Sequence, residues 1–310
     1  MKLFDLHCDT ATRLLNENQG LYDNSFHISI NKATYLESYA QLMAVWSDYR
    51  LSDSEAYEVF FKVVENLKKE LEINQNYVGL SKSSQDISLL LSQGKSPLIL
   101  AVEDARILEN NIERLNILYD WGVRALTLNW YGITCIGGAH DTNVGLTKFG
   151  EDVVKKCFEI GIIPDISHSS FKGAQMTLDI AEQYNKSLIA SHSDAYFVNP
   201  HTRNLRDEEL KRIIRLEGLV GINLCTSHLS SNSSVSINDV MPHIEHYLSM
   251  GAQRCLAMGG DLDGTDLPKG FEGIQDMYKI ADAMLKLNYS EELVNNILFN
   301  NAHDFFIKSI

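Results

Sequence analysis

The chain has 310 residues, too long for a minimal domain but suited to an α/β barrel, which runs to roughly 250 residues or more as one unit. Hydrophobic residues make up 45% and charged residues 22%, which excludes a disordered or fibrous chain. The 27 basic and 41 acidic residues leave a net charge of −14, a surface that repels phosphate backbones and anionic headgroups and argues against nucleic acid and membranes as partners.

The chain opens on Met1-Lys2-Leu3-Phe4-Asp5, with an acid where a signal peptide needs its apolar run. No stretch approaches the roughly 18 uninterrupted apolar residues of a membrane helix, so a cytoplasmic location is expected. The five cysteines, Cys8, Cys135, Cys157, Cys225 and Cys255, are widely spaced and include no CxxC pair. Reduced thiols are the simple expectation.

Eight short apolar runs follow in order: Leu3–His7, Ala40–Trp46, Leu98–Glu103, Arg124–Asn129, Ile162–His168, Leu188–His192, Leu219–Leu224 and Cys255–Asp261. Helical patterns lie between them. Asp53 to Glu72 has apolar Val59, Phe60, Val63, Val64 and Leu67 at helical spacing. Asn110–Trp121, Lys148–Ile160, Phe171–Tyr184 and Arg206–Glu217 read the same way, and Ser230–Ser234 reads as a loop. Continuous apolar strands alternating with amphipathic helices mark a buried parallel sheet. Eight units without a break predict one closed (β/α)₈ TIM barrel over residues 1–310. No GxGxxG follows a strand, which counts against a dinucleotide-binding sheet.

Polar groups gather where the runs end, on the rim where barrel enzymes place their chemistry. His7 and Asp9 are two apart, so on an extended strand they share a side and Cys8 points away. Asp9 could instead cap a helix starting at Thr10. Glu103 closes an apolar run and needs a partner, for which Arg106 and Arg124 are the plain candidates. His168 and His192 each end a strand. Asp261 and Asp263 lie in Gly-Gly-Asp-Leu-Asp-Gly, and the end of the apolar run favours Asp261. Taken one at a time, each residue has a structural explanation. Together, three histidines and several carboxylates on one rim predict a dinuclear metal centre, whose ions lie about 3.5–4 Å apart and need a bridging ligand.

The motifs Asp5-Leu6-His7-Cys8-Asp9, Val102-Glu103, Asp165-Ile166-Ser167-His168, Ser191-His192-Ser193 and Gly260-Asp261-Leu262-Asp263-Gly264 resemble, in order and spacing, the membrane (renal) dipeptidase family of metallopeptidases. Leu126-Thr127-Leu128 and Arg203-Asn204 fit as well. The resemblance implies an amidohydrolase-type barrel holding two zinc ions. His7 and Asp9 would bind one, His168 and His192 the other, and Glu103 would bridge them. Asp261 would shuttle the catalytic proton and Arg203 would grip the terminal carboxylate of a small dipeptide, whose C-terminal residue can be D in this family. One position departs: the renal enzymes carry a substrate-polarising histidine where this chain has Trp130. Asn129, as a donor to the developing oxyanion, and His140, from the next loop, are the candidate replacements.

Three readings remain from sequence. The first is a zinc-dependent dipeptidase, with manganese or cobalt as ions that the same ligands accept. The second is another amidohydrolase acting on a lactone, cyclic amide or phosphoester; such enzymes commonly use a carboxylated lysine, which no strand end offers here. The third is a metal-binding homologue without turnover. Self-association as a homodimer stays open.

Overall fold

The computed structural model describes residues 1–310. Its strands, all parallel, are β1 (Lys2–Cys8), β2 (Ser38–Val45), β3 (Val78–Ser81), β4 (Ser96–Glu103), β5 (Val123–Thr127), β6 (Ile163–Asp165), β7 (Ile189–Ala190), β8 (Leu219–Ile222) and β9 (Leu256–Met258). Eight close into a barrel in the order β1-β2-β4-β5-β6-β7-β8-β9, with β9 returning to β1 and β2 pairing directly with β4. This is the predicted TIM barrel, and each of its strands corresponds to one of the eight apolar runs. The ninth strand, β3, pairs with Ser96–Ile99 of β4 on the edge that β5 takes over from Leu100. Val78-Gly79-Leu80-Ser81 has only two apolar side chains and ends on neither a histidine nor a carboxylate, so nothing in the sequence marks it.

The helices of the outer layer start where their sequences provide caps. Ser52 and Glu55 form a reciprocal capping box at the head of Asp53–Ile73, which buries Ala56, Phe60, Val63, Val64, Leu67 and Leu71. The hydroxyls of Thr147 and Ser170 accept from Gly150 N and Gly173 N and begin the helices Lys148–Ile160 and Phe171–Tyr184. The helix expected over Asn110–Trp121 forms only from Arg114. No helix is long and apolar enough to cross a membrane.

Two apolar layers result. The outer one lies between strands and helices. The inner one fills the barrel with Phe4, Leu6, Leu42, Ile99, Ile163, Ile189 and Leu219, together with the small residues Ala40, Ala44, Ala101, Ala125 and Ala257. Those alanines leave room for Phe299, Phe305 and Phe306 from the C-terminal segment. Phe306 stacks on Phe4 with ring centroids 5.2 Å apart. The aromatic plug closes the end of the barrel opposite the polar rim. Phe306→Ala should cost about 3–5 kcal/mol of stability through the cavity it leaves. Denaturant unfolding would measure it, and a loss under about 1 kcal/mol would show that the plug adds little.

A slip in β1 sets up the site. Phe4 and Leu6 belong to the inner cluster, so strict alternation would send Cys8 inward and His7 outward. The register with β2 shifts between Asp5 and Cys8, and Cys8 joins the outer cluster instead. The irregularity reverses the alternation and turns His7 into the barrel mouth, as bulges near active sites do. The expectation that His7 and Asp9 share a side and Cys8 faces the helices is met, by this route.

Candidate metal centre and active site

The strand ends bring His7, Asp9, Glu103, His168, His192 and Asp261 together at one rim. His7 Nε2 lies 3.5 Å from Glu103 Oε2 and 3.8 Å from Asp9 Oδ2. Glu103 Oε1 lies 3.0 Å from His168 Nε2 and 3.6 Å from His192 Nε2, and these two nitrogens are 3.0 Å apart. The carboxylate of Glu103 therefore offers one oxygen to each pair of ligands. Two overlapping groups could hold an ion: His7, Glu103 and His192, and His7, Asp9 and Asp261.

The simpler partners suggested by the sequence are occupied elsewhere. Arg106 pairs with Asp104 and Asp53, and Arg124 donates to the carbonyls of Lys82, Tyr119 and Val123. Neither reaches Glu103. Asp9 precedes the helix Thr10–Asn16 but its side chain does not cap it. Asp9 Oδ1 and His7 Nε2 are buried without hydrogen-bond partners. Buried polar atoms left over in this way fit a cation that the residues would share.

A hydrogen-bond network sets the histidine tautomer. Asp165 accepts from the hydroxyls of Thr127 and Ser191, each at 2.6 Å, and from the backbone N–H groups of Ser167 and Ser191. Ser191 gives its single proton to Asp165, so at 2.7 Å it accepts from His192 Nδ1. His192 Nε2 is then left with its lone pair toward Glu103 and His168, the form a metal ligand needs. This carboxylate–serine–histidine relay lies within the predicted motifs, but its role is visible only once β6 and β7 are adjacent. The same bonds draw Ser167 and Ser191 out of the ladder, so both strands end earlier than their apolar runs.

Asp261 and Asp263 separate clearly. Asp263 accepts from Thr10 Oγ1 at 2.5 Å and from His27 N at 2.6 Å, and lies 3.5 Å from the Arg13 guanidinium. It ties the end of the barrel to the first helix. Asp261 is half-buried, and the only hydrogen bond to its carboxylate is a long one, 3.4 Å from Asn223 Nδ2 to Oδ2. It stands in the left-handed region at φ 54°, as do His168 at 67° and Asp263 at 71°. Such backbone is costly for residues other than glycine and tends to gather at functional sites. A Cβ on Gly264 would collide with the carboxylates of Asp9 and Asp261, so a larger residue there would displace both from their places.

These groups face a cleft of about 470 Å³ whose lining includes Asp9, Glu103, His168, Arg203 and Asp261. Arg203 is not a surface residue: it is 5% exposed, donates to His192 O at 3.2 Å, and leaves its Nε unpaired. Asn129 requires a correction. It is fully buried, its amide donates to Gly137 O, and it does not line the cleft. Trp130 and His140 do. Sequence reasoning missed Trp46, His228 and Asn223; the last was a polar residue inside the apolar run Leu219–Leu224, which is a readable signal.

Charge follows geometry. Burial lifts Glu103 to about 7 against the opposing pull of His7. Burial pulls His7 down, yet Glu103 and Asp9 outweigh it and hold the imidazole well above its ordinary value. Burial, with Arg203 and His7 adding to it, keeps His168 and His192 well below theirs. Burial also raises Asp261. In His7 a proton and a cation compete for one lone pair.

A closed parallel barrel with histidines and carboxylates on its C-terminal rim defines the architecture of a metal-dependent hydrolase. The sequence profile of the family described as membrane dipeptidase (peptidase family M19) matches residues 1–305, and the chain belongs to that family. A solved structure described as dipeptidase AC, a metallopeptidase of family M19, is 24% identical, with 100% of this chain and 98% of that one covered at a TM-score of 0.91. A metallopeptidase from Rhodobacter sphaeroides, liganded with a phosphinate mimic of the dipeptide L-Ala-D-Ala, is 22% identical, with 100% and 99% covered at 0.90. An uncharacterized protein in the PQQ-III 3′ region of Acinetobacter calcoaceticus is 30% identical over 183 residues, 55% of this chain and 57% of that protein. The match thus spans little more than half of that relative's length.

Proposed function

We propose that residues 1–310 form one catalytic unit, a dinuclear zinc dipeptidase. The observation that carries this reading is the division of Glu103, with Oε2 toward His7 and Oε1 toward His168 and His192. His7 and Asp9 would hold one ion, His168 and His192 the other, and Glu103 both. Neutral imidazoles with carboxylates suit zinc, and manganese or cobalt accept the same set. Divalent ions there would acidify a water and polarise the scissile carbonyl. Asp261 takes the proton at Oδ1, the oxygen Asn223 does not touch, and returns it to the leaving amine. Asn223 steadies the other oxygen. No lysine lines the cleft, which disfavours a carboxylated-lysine amidohydrolase. The five unpaired cysteines suit work in the reducing cytoplasm.

Arg203 supplies substrate selection. A free dipeptide presents a carboxylate beside its scissile bond, and a buried guanidinium with an unpaired Nε can bind it through two parallel hydrogen bonds. In family terms the C-terminal residue can be D, and a panel of L,L and L,D dipeptides with metal analysis on the same preparation tests the activity. Arg203→Ala should lose roughly one to two decades of kcat/KM on a dipeptide, the equivalent of about 1.5–3 kcal/mol. A dipeptide amide should already be poor with the parent and change little. Equal losses on both would make Arg203 structural and remove this argument.

A further inference from the structure

The dipeptidase reading leaves the choice of side chains open, and the cleft is unevenly built in a way that bears on it. Its apolar lining residues are Trp46, Trp130, Tyr131 and Cys225. Three of these form one surface. The Trp46 and Trp130 rings meet edge to face with centroids 5.2 Å apart, and Trp130 and Tyr131 are 6.1 Å apart. Tyr49 backs them, 5.8 Å from Trp130 and 5.6 Å from Tyr131. Trp130 also lies 6.2 Å from His168, so the wall reaches the candidate metal centre itself.

The opposite side is polar. Arg203 lies in the loop after β7 and shares the cleft with His140 and His228. The His228 ring packs at 4.7 Å on His201. Burial and the Arg203 charge hold His140 down at about 4 and His228 at about 2, so both are neutral donors and acceptors rather than charges. In the ring order of the barrel, β2 stands across from β7. Trp46, just past β2, is therefore across the mouth from the arginine, and Glu103 at the end of β4 is next to it.

A dipeptide is short enough for that arrangement to fix its direction. With its carboxylate at Arg203 and its carbonyl at the Glu103–histidine cluster, its N-terminal residue is directed across the mouth, where the ends of β1 and β9 offer polar groups such as Asp9, Thr12 and Arg13 and the β2–β4–β5 side offers the three rings. We infer that the Trp46–Trp130–Tyr131 wall receives the side chain of the N-terminal residue and makes the protein prefer dipeptides that begin with a bulky apolar or aromatic residue. The inference rests on the dipeptidase reading and adds the substrate class to it. An aromatic surface buries an apolar side chain and stacks on an aromatic one. The C-terminal side chain meets no such surface, so its size should matter little.

The test compares two series on the metal-loaded protein: X-Ala and Ala-X, with X as Ala, Leu or Phe. The kcat/KM ratio of Phe-Ala to Ala-Ala should be on the order of tenfold or more, within the range that apolar pockets discriminate, while Ala-Phe and Ala-Ala stay within about threefold. Trp130→Ala should lower the Phe-Ala preference by about fivefold or more, and Trp130→Phe should keep most of it. Trp46→Ala gives a second, independent reading should the first variant fold poorly, which thermal melting and metal content would show. A flat X-Ala series, a preference that follows the C-terminal residue, or a preference unchanged in folded Trp130→Ala and Trp46→Ala would overturn the inference and leave the dipeptidase reading standing. No hydrolysis of any member of either series would overturn both.

Discussion

Glu103→Ala is expected to strip metal from the whole centre rather than from half of it. Its two oxygens face different pairs of candidate ligands, so on the proposed reading one substitution would remove a ligand from each. Loss of an outer hydrogen-bond partner costs roughly 10–100-fold in metal affinity, and loss of a shared direct ligand should cost more. Dialysed Glu103→Ala should therefore hold well under two ions per chain and show little peptidase activity. Glu103→Gln keeps the shape but offers a neutral oxygen and an N–H, and should fall between. Retention of two tightly held ions by the alanine variant would mean that Glu103 does not bridge.

Asp261→Asn should separate chemistry from metal binding. The amide keeps the volume and the Asn223 side of the contact but cannot carry a proton, so kcat should fall on the order of 10²–10⁴ with metal content near that of the parent. Asp263→Asn should behave differently. Its carboxylate is committed to Thr10, His27 and Arg13, so the loss should appear as about 1–3 kcal/mol of stability. The reverse pattern, with the rate lost at Asp263 and stability at Asp261, would exchange the two roles.

The barrel was legible because its strands are buried on both faces and read as short, mostly apolar runs, most of them closed by a polar group. The candidate site was legible because histidines and carboxylates close several of those runs on one rim, a grouping that the separate structural explanation of each residue does not account for. What stayed hidden depends on contacts between distant segments. The β1 slip that turns His7 inward leaves no mark in Asp5-Leu6-His7-Cys8-Asp9. The Asp165–Ser191–His192 relay joins residues from two strands. Asn129 and Trp130 are neighbours in sequence, and nothing local says which faces the cleft; the structure gives the cleft to Trp130 and ties Asn129 to Gly137 O. β3 carries only two apolar side chains, Val78 and Leu80, too few to read as a run.

The aromatic plug has a kinetic consequence. Phe299, Phe305 and Phe306 fill the far end of the barrel, so no passage runs through it. Reactant and both released amino acids must use a single opening. On the proposed reading, the carboxyl-side product would sit on the buried Arg203 and the N-terminal product against the aromatic wall across the mouth. Turnover then ends in two departures through one door, and a free amino acid returning to the arginine blocks the next dipeptide from docking. Inhibition by the carboxyl-side amino acid should accordingly be competitive with substrate, and Arg203→Ala should weaken it in parallel with dipeptide turnover.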